Sequence, residues 1–147
     1  MKRIVIDTSS FIRAFLESDT VARDMFKMFP SLDYQLVMTE EIAKEWLIAT
    51  NNVILRRKMN PNPYLRAVAV FLLKSIEIEK KTDFSWCSDP DDAMFIECAI
   101  DAQAKYVISN DRSLTGLKEY VTDERALEMI RDIEFVTPGD FLKIHTS

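Results

Sequence analysis

The chain is poor in the residues on which several common kinds of functional site depend. It has two glycines, Gly116 and Gly139, which excludes a glycine-rich loop of the kind that cradles phosphate groups. Its one histidine, His145, lies near the end of the sequence, so neither a histidine-based triad nor a histidine-rich metal site is expected. The two cysteines, Cys87 and Cys98, lack the spacing of a metal site and are predicted to be buried free thiols in a reducing compartment.

The sequence also lacks a signal peptide, a long apolar run and an excess of basic residues. No apolar segment reaches the length of a membrane-spanning helix, so we expect a cytoplasmic protein without a membrane-embedded part. The formal net charge of −5 argues against a protein that coats duplex nucleic acid, but not against a carboxylate-rich metal site that acts on nucleic acid. With 147 residues, 48% of them hydrophobic, residues 1–147 are predicted to form one domain.

Short apolar runs that alternate with helical patterns predict an α/β fold with a parallel sheet between two layers of helices. The predicted strands are 3–6, 34–38, 76–79, 106–108 and 133–136. The predicted helices are 9–16, 21–29, 40–49, 53–59, 64–75, 90–100, 117–131 and a last short one near 137–142. Residues 80–88 are predicted to be a loop, and 112–116 a turn.

Two aspartates follow predicted strands, and a third group of acids begins a helix. Asp7 and Asp111 each end a strand, and parallel neighbouring strands would bring both to one edge of the sheet, where α/β proteins bind ligands. The segment 89–92, Asp-Pro-Asp-Asp, has an acid that can cap a helix and a proline at its first position. Taken alone, such first-turn acids usually serve only the cap and the helix dipole.

A fourth acid, Glu45, lies beside a tryptophan on the helix predicted after the second strand. At helical spacing, Ile42 and Trp46 share the inward face and Glu45 falls at its shoulder, whereas Glu40 and Glu41 point further away. Glu45 is therefore the candidate for a functional role among the three acids. The simpler alternative is that it borders the core and extends to water.

These motifs, in this order, resemble PIN domains, a family of metal-dependent ribonucleases that includes the VapC toxins. The resemblance is carried by residues 5–12, Val-Ile-Asp-Thr-Ser-Ser-Phe-Ile, by residues 39–47 with Glu45, by residues 89–99 with Asp92, by Ser109-Asn110-Asp111, and by residues 136–142. It extends over essentially the whole chain and implies a five-stranded parallel sheet of order 3-2-1-4-5. Two features depart from it: the segment 112–133 is longer than is usual, and Asp89 and Asp91 are additional acids.

The resemblance implies a catalytic and metal-binding set of four acids, Asp7, Glu45, Asp92 and Asp111. Supporting roles are implied for Thr8, Ser9, Asp89, Ser109 and Asn110. Clustered carboxylates repel one another unless a cation neutralises them, and oxygen ligands without histidine or cysteine favour Mg²⁺ or Mn²⁺. Such an ion can activate water toward a phosphorus atom and stabilise the leaving oxygen.

The family further implies an endoribonuclease that cuts single-stranded RNA or loops, a homodimer, and the toxin role of a toxin–antitoxin pair, with an antitoxin protein as partner. Arg56, Arg57, Lys58 and Arg112 could offset the charge of RNA, although a solvated surface is the simpler explanation for them. Glu97, farther along the helix that begins near Asp92, is expected to contribute little to stability, metal binding or cleavage.

Three other functions are alternatives for this sequence. A phosphate-receiver domain needs an acidic pair after the first strand and a lysine after the fifth, where this chain has Asp7-Thr8 and Thr137-Pro138. A haloacid-dehalogenase-type phosphatase needs a second aspartate at the position of Ser9. The remaining alternative is a PIN-like module that binds RNA or protein without cutting.

Overall fold

The computed structural model describes residues 1–146, and its centre is a parallel sheet. The strands are β1 (Lys2–Ile6), β2 (Tyr34–Met38), β3 (Ile76–Glu77), β4 (Tyr106–Ile108) and β5 (Glu134–Val136). They lie in the order β3-β2-β1-β4-β5, and every neighbouring pair is parallel. The predicted α/β class and the strand order 3-2-1-4-5 are therefore confirmed.

Helices connect the strands. They are α1 (Thr8–Phe15), α2 (Thr20–Met28), α3 (Glu40–Arg57), α4 (Pro61–Lys74), α5 (Ala93–Ala102), α6 (Arg112–Thr115), α7 (Leu117–Tyr120), α8 (Glu124–Ile130) and α9 (Pro138–Thr146). Two short 3-10 helices, Phe29–Ser31 and Pro90–Asp92, precede β2 and α5 respectively.

The central strand β1 is covered on both faces. Successive side chains of a strand point to opposite faces, and Ile4, Val5 and Ile6 are all buried, so helices must pack on each side of the sheet. On one side α5 contacts β1, β2 and β4, as well as α8. An aromatic cluster joins α1 and α2, which precede β2, to α3 and α4, which follow it. Phe11 lies at its centre, and its ring centroid is 4.6 Å from that of Trp46 and 5.8 Å from that of Phe71.

Helix α3 is one long helix, although the sequence predicted two. Its amino end is capped by Thr39, whose hydroxyl accepts a hydrogen bond from the backbone N–H of Ile42. The weak helix formers 50–52, Thr-Asn-Asn, predict a break, but Thr50 and Ile54 are buried four and eight residues after buried Trp46. Packing of this face against the core therefore continues the helix through them.

The segment between Asp111 and β5 also differs from its prediction. Residues 112–116 were predicted as a turn and 117–131 as one helix, but three short helices, α6, α7 and α8, occupy this stretch. The break at residues 121–123 precedes Asp123, whose carboxylate accepts a hydrogen bond from the N–H of Ala126 and begins α8. Strand β3 is shorter than the predicted 76–79, as suits a partly polar strand at the sheet edge.

Of the two cysteines predicted to be buried free thiols, one is fully buried. Both cysteines are free, with Cys98 buried and Cys87 partly buried. Burial raises the pKa of the Cys98 thiol to about 12, so that thiol is unreactive. Within residues 1–146, no helix combines the length and apolar character needed to cross a membrane.

Candidate active site

Asp7 lies where β1 gives way to α1, and it is held by three donors. Its Oδ1 accepts a hydrogen bond from the backbone N–H of Ser10 (3.0 Å), which caps the helix. Its Oδ2 accepts bonds from the hydroxyls of Ser9 (2.7 Å) and Ser109 (2.6 Å). Burial nevertheless raises the pKa of Asp7, because desolvation of the charged form outweighs these hydrogen bonds.

Asp92 ends the 3-10 helix that leads into α5. This turn begins as predicted, because the carboxylate of Asp89 accepts a hydrogen bond from the N–H of Asp91 (3.0 Å). Asp92 itself is buried, and its Oδ2 accepts a short bond from the hydroxyl of Ser113 (2.5 Å). Burial raises the pKa of Asp92, and the negative charges of Asp89, Asp111 and Asp7 raise it further, whereas Ser113 lowers it.

Glu45 and Asp111 approach the same place from α3 and from the end of β4. Glu45 is half-buried, and its pKa is raised by burial and then by the charge of Asp91. Asp111 is exposed and stands at the start of α6, but its carboxylate makes no capping bond there. Its backbone N–H donates to the hydroxyl of Ser109 (2.9 Å), the same hydroxyl that donates to Asp7.

One cavity of about 280 Å³ brings the four predicted acids together at the carboxyl edge of the sheet. Its lining consists of Asp7, Thr8, Ser9, Glu45, Asp89, Asp91, Asp92, Met94, Phe95 and Asp111. The exposed acids Glu40 and Glu41 instead line a separate cavity with Glu77 and Glu79. Glu45 is thus the acid of its helix that reaches the acidic cavity.

The supporting residues divide into two groups. Thr8, Ser9 and Asp89 line the cavity, and the hydroxyl of Thr8 is buried without a hydrogen-bond partner in the described structure. Ser109 is fully buried behind the cavity and acts on it through Asp7 and Asp111. Asn110 is not among the lining residues, and its side-chain nitrogen is likewise buried without a partner.

The chemistry of the donors fits a hard divalent cation. Among residues 1–146, none of the four acids is in an ion pair, so their charges are not balanced by a lysine or arginine. No three Asp, Glu, His or Cys side chains in this part of the chain are already gathered as ligands of one ion. Mg²⁺ commonly binds through one or two carboxylates and retains several waters, and a lining of oxygen donors accommodates that arrangement.

Two residues were missed or misjudged from the sequence. Ser113, which bonds to Asp92, lies in a segment predicted to be a simple turn, and nothing in its surroundings marked it. Glu97 was expected to contribute little, but it is buried, accepts a bond from the N–H of Phe84 (2.8 Å) and pairs with Lys80 (3.4 Å). Its position on the buried side of α5, next to the buried Ile96 and Cys98, was the available signal.

Comparisons with known proteins agree with this arrangement. The chain is 27% identical over 144 residues to the uncharacterized protein MJ1680 of Methanocaldococcus jannaschii, an alignment that covers 96% of this chain and 90% of that relative. The family model described as the PIN domain matches residues 3–113, which include all four acids. Members of this family are generally nucleases and typically use divalent metals. With its sheet order and its matched segment, the chain belongs to the PIN domain family.

Proposed function

We propose that this protein is an endoribonuclease that hydrolyses RNA phosphodiester bonds with the help of Mg²⁺ or Mn²⁺. The observation that carries the proposal is the convergence of Asp7, Glu45, Asp92 and Asp111, from four separate parts of the chain, on one cavity without a balancing cation. Burial raises the pKa of Asp92 and the neighbouring carboxylates raise it further, and acids perturbed in this way cluster at functional sites.

Asp7, Asp92 and Asp111 would hold the metal, which when bound supplies Lewis-acid activation of water and stabilises the leaving oxygen. Glu45 is the acid best suited to accept a proton from the attacking water, because burial and Asp91 already raise its pKa. Thr8 and Ser9 line the cavity and would bind waters or phosphate oxygens. Together these residues would bind the metal, orient the phosphodiester and accept the proton of the attacking water.

The substrate class follows from the form of the cavity. Acidic side chains repel a phosphate backbone unless a cation bridges them, so RNA would be held at this site through the metal rather than by direct pairing. Single-stranded segments and loops suit the site, because their backbone can be drawn away from base stacking into a cavity of about 280 Å³. Exposed basic residues, among them Arg56 and Arg112, would contact the flanking phosphates.

Three further parts of the proposal concern the setting of the protein. Because the protein belongs to the PIN domain family, we expect it to form a homodimer and to act in the cytoplasm. We also propose that it is the toxin of a toxin–antitoxin pair, with an antitoxin protein as its partner. Expression of the chain in cells, followed by mapping of RNA ends beside an Asp7→Asn control, would identify the target; unchanged growth and unchanged RNA ends would argue against the toxin role.

Cleavage of end-labelled single-stranded RNA tests the enzymatic activity. We expect cleavage with Mn²⁺ or Mg²⁺ and none with chelator. Asp7→Asn and Asp92→Asn should each lose roughly 100-fold or more, beyond the 10–100-fold typical of changes in the outer shell of a metal site. Glu40→Gln is the matched control, because Glu40 is an exposed acid that pairs with Lys44 and lines another cavity, so its activity should be unchanged.

Two results would contradict the proposal. Cleavage that persists in chelator, or in both aspartate variants, would mean that the acidic cavity is not the catalytic site. RNA that is bound with Mn²⁺ present but never cut would instead identify a PIN-like module that binds without catalysis.

A further inference from the structure

The segment that follows Asp111 is tied by hydrogen bonds to Asp92, which lines the acidic cavity. Ser113, on α6, donates its hydroxyl to Oδ2 of Asp92 (2.5 Å). The backbone carbonyl of Ser113 accepts a bond from the hydroxyl of Tyr120, on α7 (2.6 Å). The family model matches residues 3–113, so Tyr120 lies outside the matched segment.

The hydroxyl of Tyr120 also reaches the loop that leads to Asp89, Asp91 and Asp92. It accepts from the hydroxyl of Ser88 (3.4 Å) and lies 3.5 Å from the N–H of the same residue, which directly precedes Asp89. One donated and two accepted bonds use the full capacity of a phenolic hydroxyl. Tyr120 therefore links two segments that contact Asp92. One is the loop at Ser88, which precedes it in the sequence, and the other is α6, where Ser113 donates to its carboxylate.

A second serine shows the same kind of link on the other side of the cavity. Ser109 donates to Asp7 and accepts from the N–H of Asp111, so it fixes these two acids relative to each other. Ser113 does for Asp92 what Ser109 does for Asp7. In the described structure, the side-chain hydrogen bond of Asp92 involves Oδ2, which leaves Oδ1 available to a ligand.

We propose that Ser113 and Tyr120 are positioning residues of the metal site, with Ser113 orienting the carboxylate of Asp92 and Tyr120 holding Ser113 and Ser88 in register. This inference rests on the proposed function, because it assigns the two residues to the binding of the same ion. Outer-shell hydrogen bonds of this type orient metal-ligating carboxylates, and their loss typically weakens metal binding 10–100-fold.

The exposure of Tyr120 and Ser88 distinguishes a positioning role from simple stabilisation of the fold. Tyr120 is 40% exposed, and Ser88 is exposed, so the bonds between them compete with water and contribute little to folding. Removing one hydroxyl should leave the fold intact while the loop at 88–92 becomes more mobile. Affinity for the ion should then fall more than stability does.

Titration of the full chain with Mn²⁺, followed calorimetrically, tests the inference. Ser113→Ala should weaken Mn²⁺ binding by roughly 10–100-fold. Ser113→Thr, which retains the hydroxyl, should restore affinity, and Tyr120→Phe should weaken it by a smaller factor because it acts one bond further away. Tyr64→Phe, a half-buried tyrosine on α4, is the matched control and should bind like the wild type.

A second measurement does not require metal. Hydrogen exchange of the peptide containing Ser88 to Asp92, in chelator, should be faster in Tyr120→Phe than in the wild type and unchanged in Tyr64→Phe. Wild-type exchange in Tyr120→Phe would overturn the role of Tyr120, and wild-type affinity in Ser113→Ala would overturn that of Ser113, with the proposed function intact. If the wild type binds no Mn²⁺, both this inference and the proposed metal-dependent function are overturned.

Discussion

The acids at the two ends of α5 have opposite surroundings. Toward its carboxyl end, Asp101 accepts bonds from the N–H groups of Lys81 and Thr82 and from the hydroxyl of Thr82, at 2.6–3.1 Å. One turn earlier, Glu97 accepts from Phe84 and pairs with Lys80. At the amino end, Asp92 has a single serine hydroxyl and three other acids nearby.

This contrast is visible in the directions of the pKa shifts. Burial raises the pKa of Asp101, but the hydrogen bonds of Thr82 and Lys81 outweigh it, and the net pKa lies below its ordinary value. Burial raises the pKa of Asp92, and neighbouring acids raise it further. The charged form is thus stabilised by the fold at Asp101 and opposed by it at Asp92. Both acids are affected by burial, but hydrogen bonds outweigh its effect on the pKa at Asp101 and not at Asp92.

The compensated acids still serve the site, although indirectly. Glu97 and Asp101 hold residues 80–84 of the loop that connects β3 to the 3-10 helix at Asp92. Phe84, in the same loop, is buried. The loop is therefore fixed in the part that precedes Asp89 and Asp92, which line the cavity. The acids toward the carboxyl end of α5 therefore hold the preceding loop, whereas Asp92, at the amino end, lines the acidic cavity.

The largest expected effect is on stability, from Glu97→Ala. This change leaves the buried N–H of Phe84 without its charged acceptor, which should cost about 2–3 kcal/mol. In a protein of this size that lowers the melting temperature by roughly 4–12 °C. Asp83→Ala is the matched control, because Asp83 also pairs with Lys80 but is 91% exposed, and its effect should stay within about 0.5 kcal/mol. Equal melting temperatures for the two variants would contradict a structural role for Glu97.

A smaller loss is expected from Asp101→Asn, about 1 kcal/mol at neutral pH, because an amide oxygen replaces an ionised acceptor. Since the folded-state pKa of Asp101 is lowered, its stabilisation is present above the unfolded pKa of about 3.9 and is lost as the pH falls through the folded pKa. Denaturant unfolding at several pH values should therefore show a gap between wild type and variant that narrows below about pH 4. A gap that stays constant down to pH 2 would show that the charge of Asp101 is not responsible.

Much of the fold was predictable, because strands and their polar ends have a strong local signal. Residues 34–38 are β2 as predicted, and Asp7 and Asp111 follow β1 and β4 as predicted. The strand order came from the family resemblance rather than from periodicity. Where tertiary packing overrides local propensity, prediction failed: α3 continues through Thr50 because buried contacts on one face support it.

The identities of the candidate acids were also predictable, but their supports were not. Whether the four predicted acids bind metal and catalyse stays a prediction, although they line one cavity. Ser113 and Tyr120 reach the site only through the path of the backbone after Asp111, which no local pattern specifies. Glu97 was misjudged because its partners, Phe84 and Lys80, are 13 and 17 residues away in a loop without regular structure.

The most direct test of the central claim is the melting temperature of Asp92→Asn at pH 7 in chelator. Because burial and then the neighbouring acids raise the pKa of Asp92 in the folded state, its charge destabilises the metal-free protein, and its removal should raise the melting temperature. The matched control is Asp140→Asn, an exposed first-turn acid of α9, which should instead lose about 0.3–1 kcal/mol. Mn²⁺ should stabilise the wild type but not Asp92→Asn. A melting temperature that falls in Asp92→Asn as in Asp140→Asn, with RNA cleavage intact, would show that Asp92 is only a helix-capping acid.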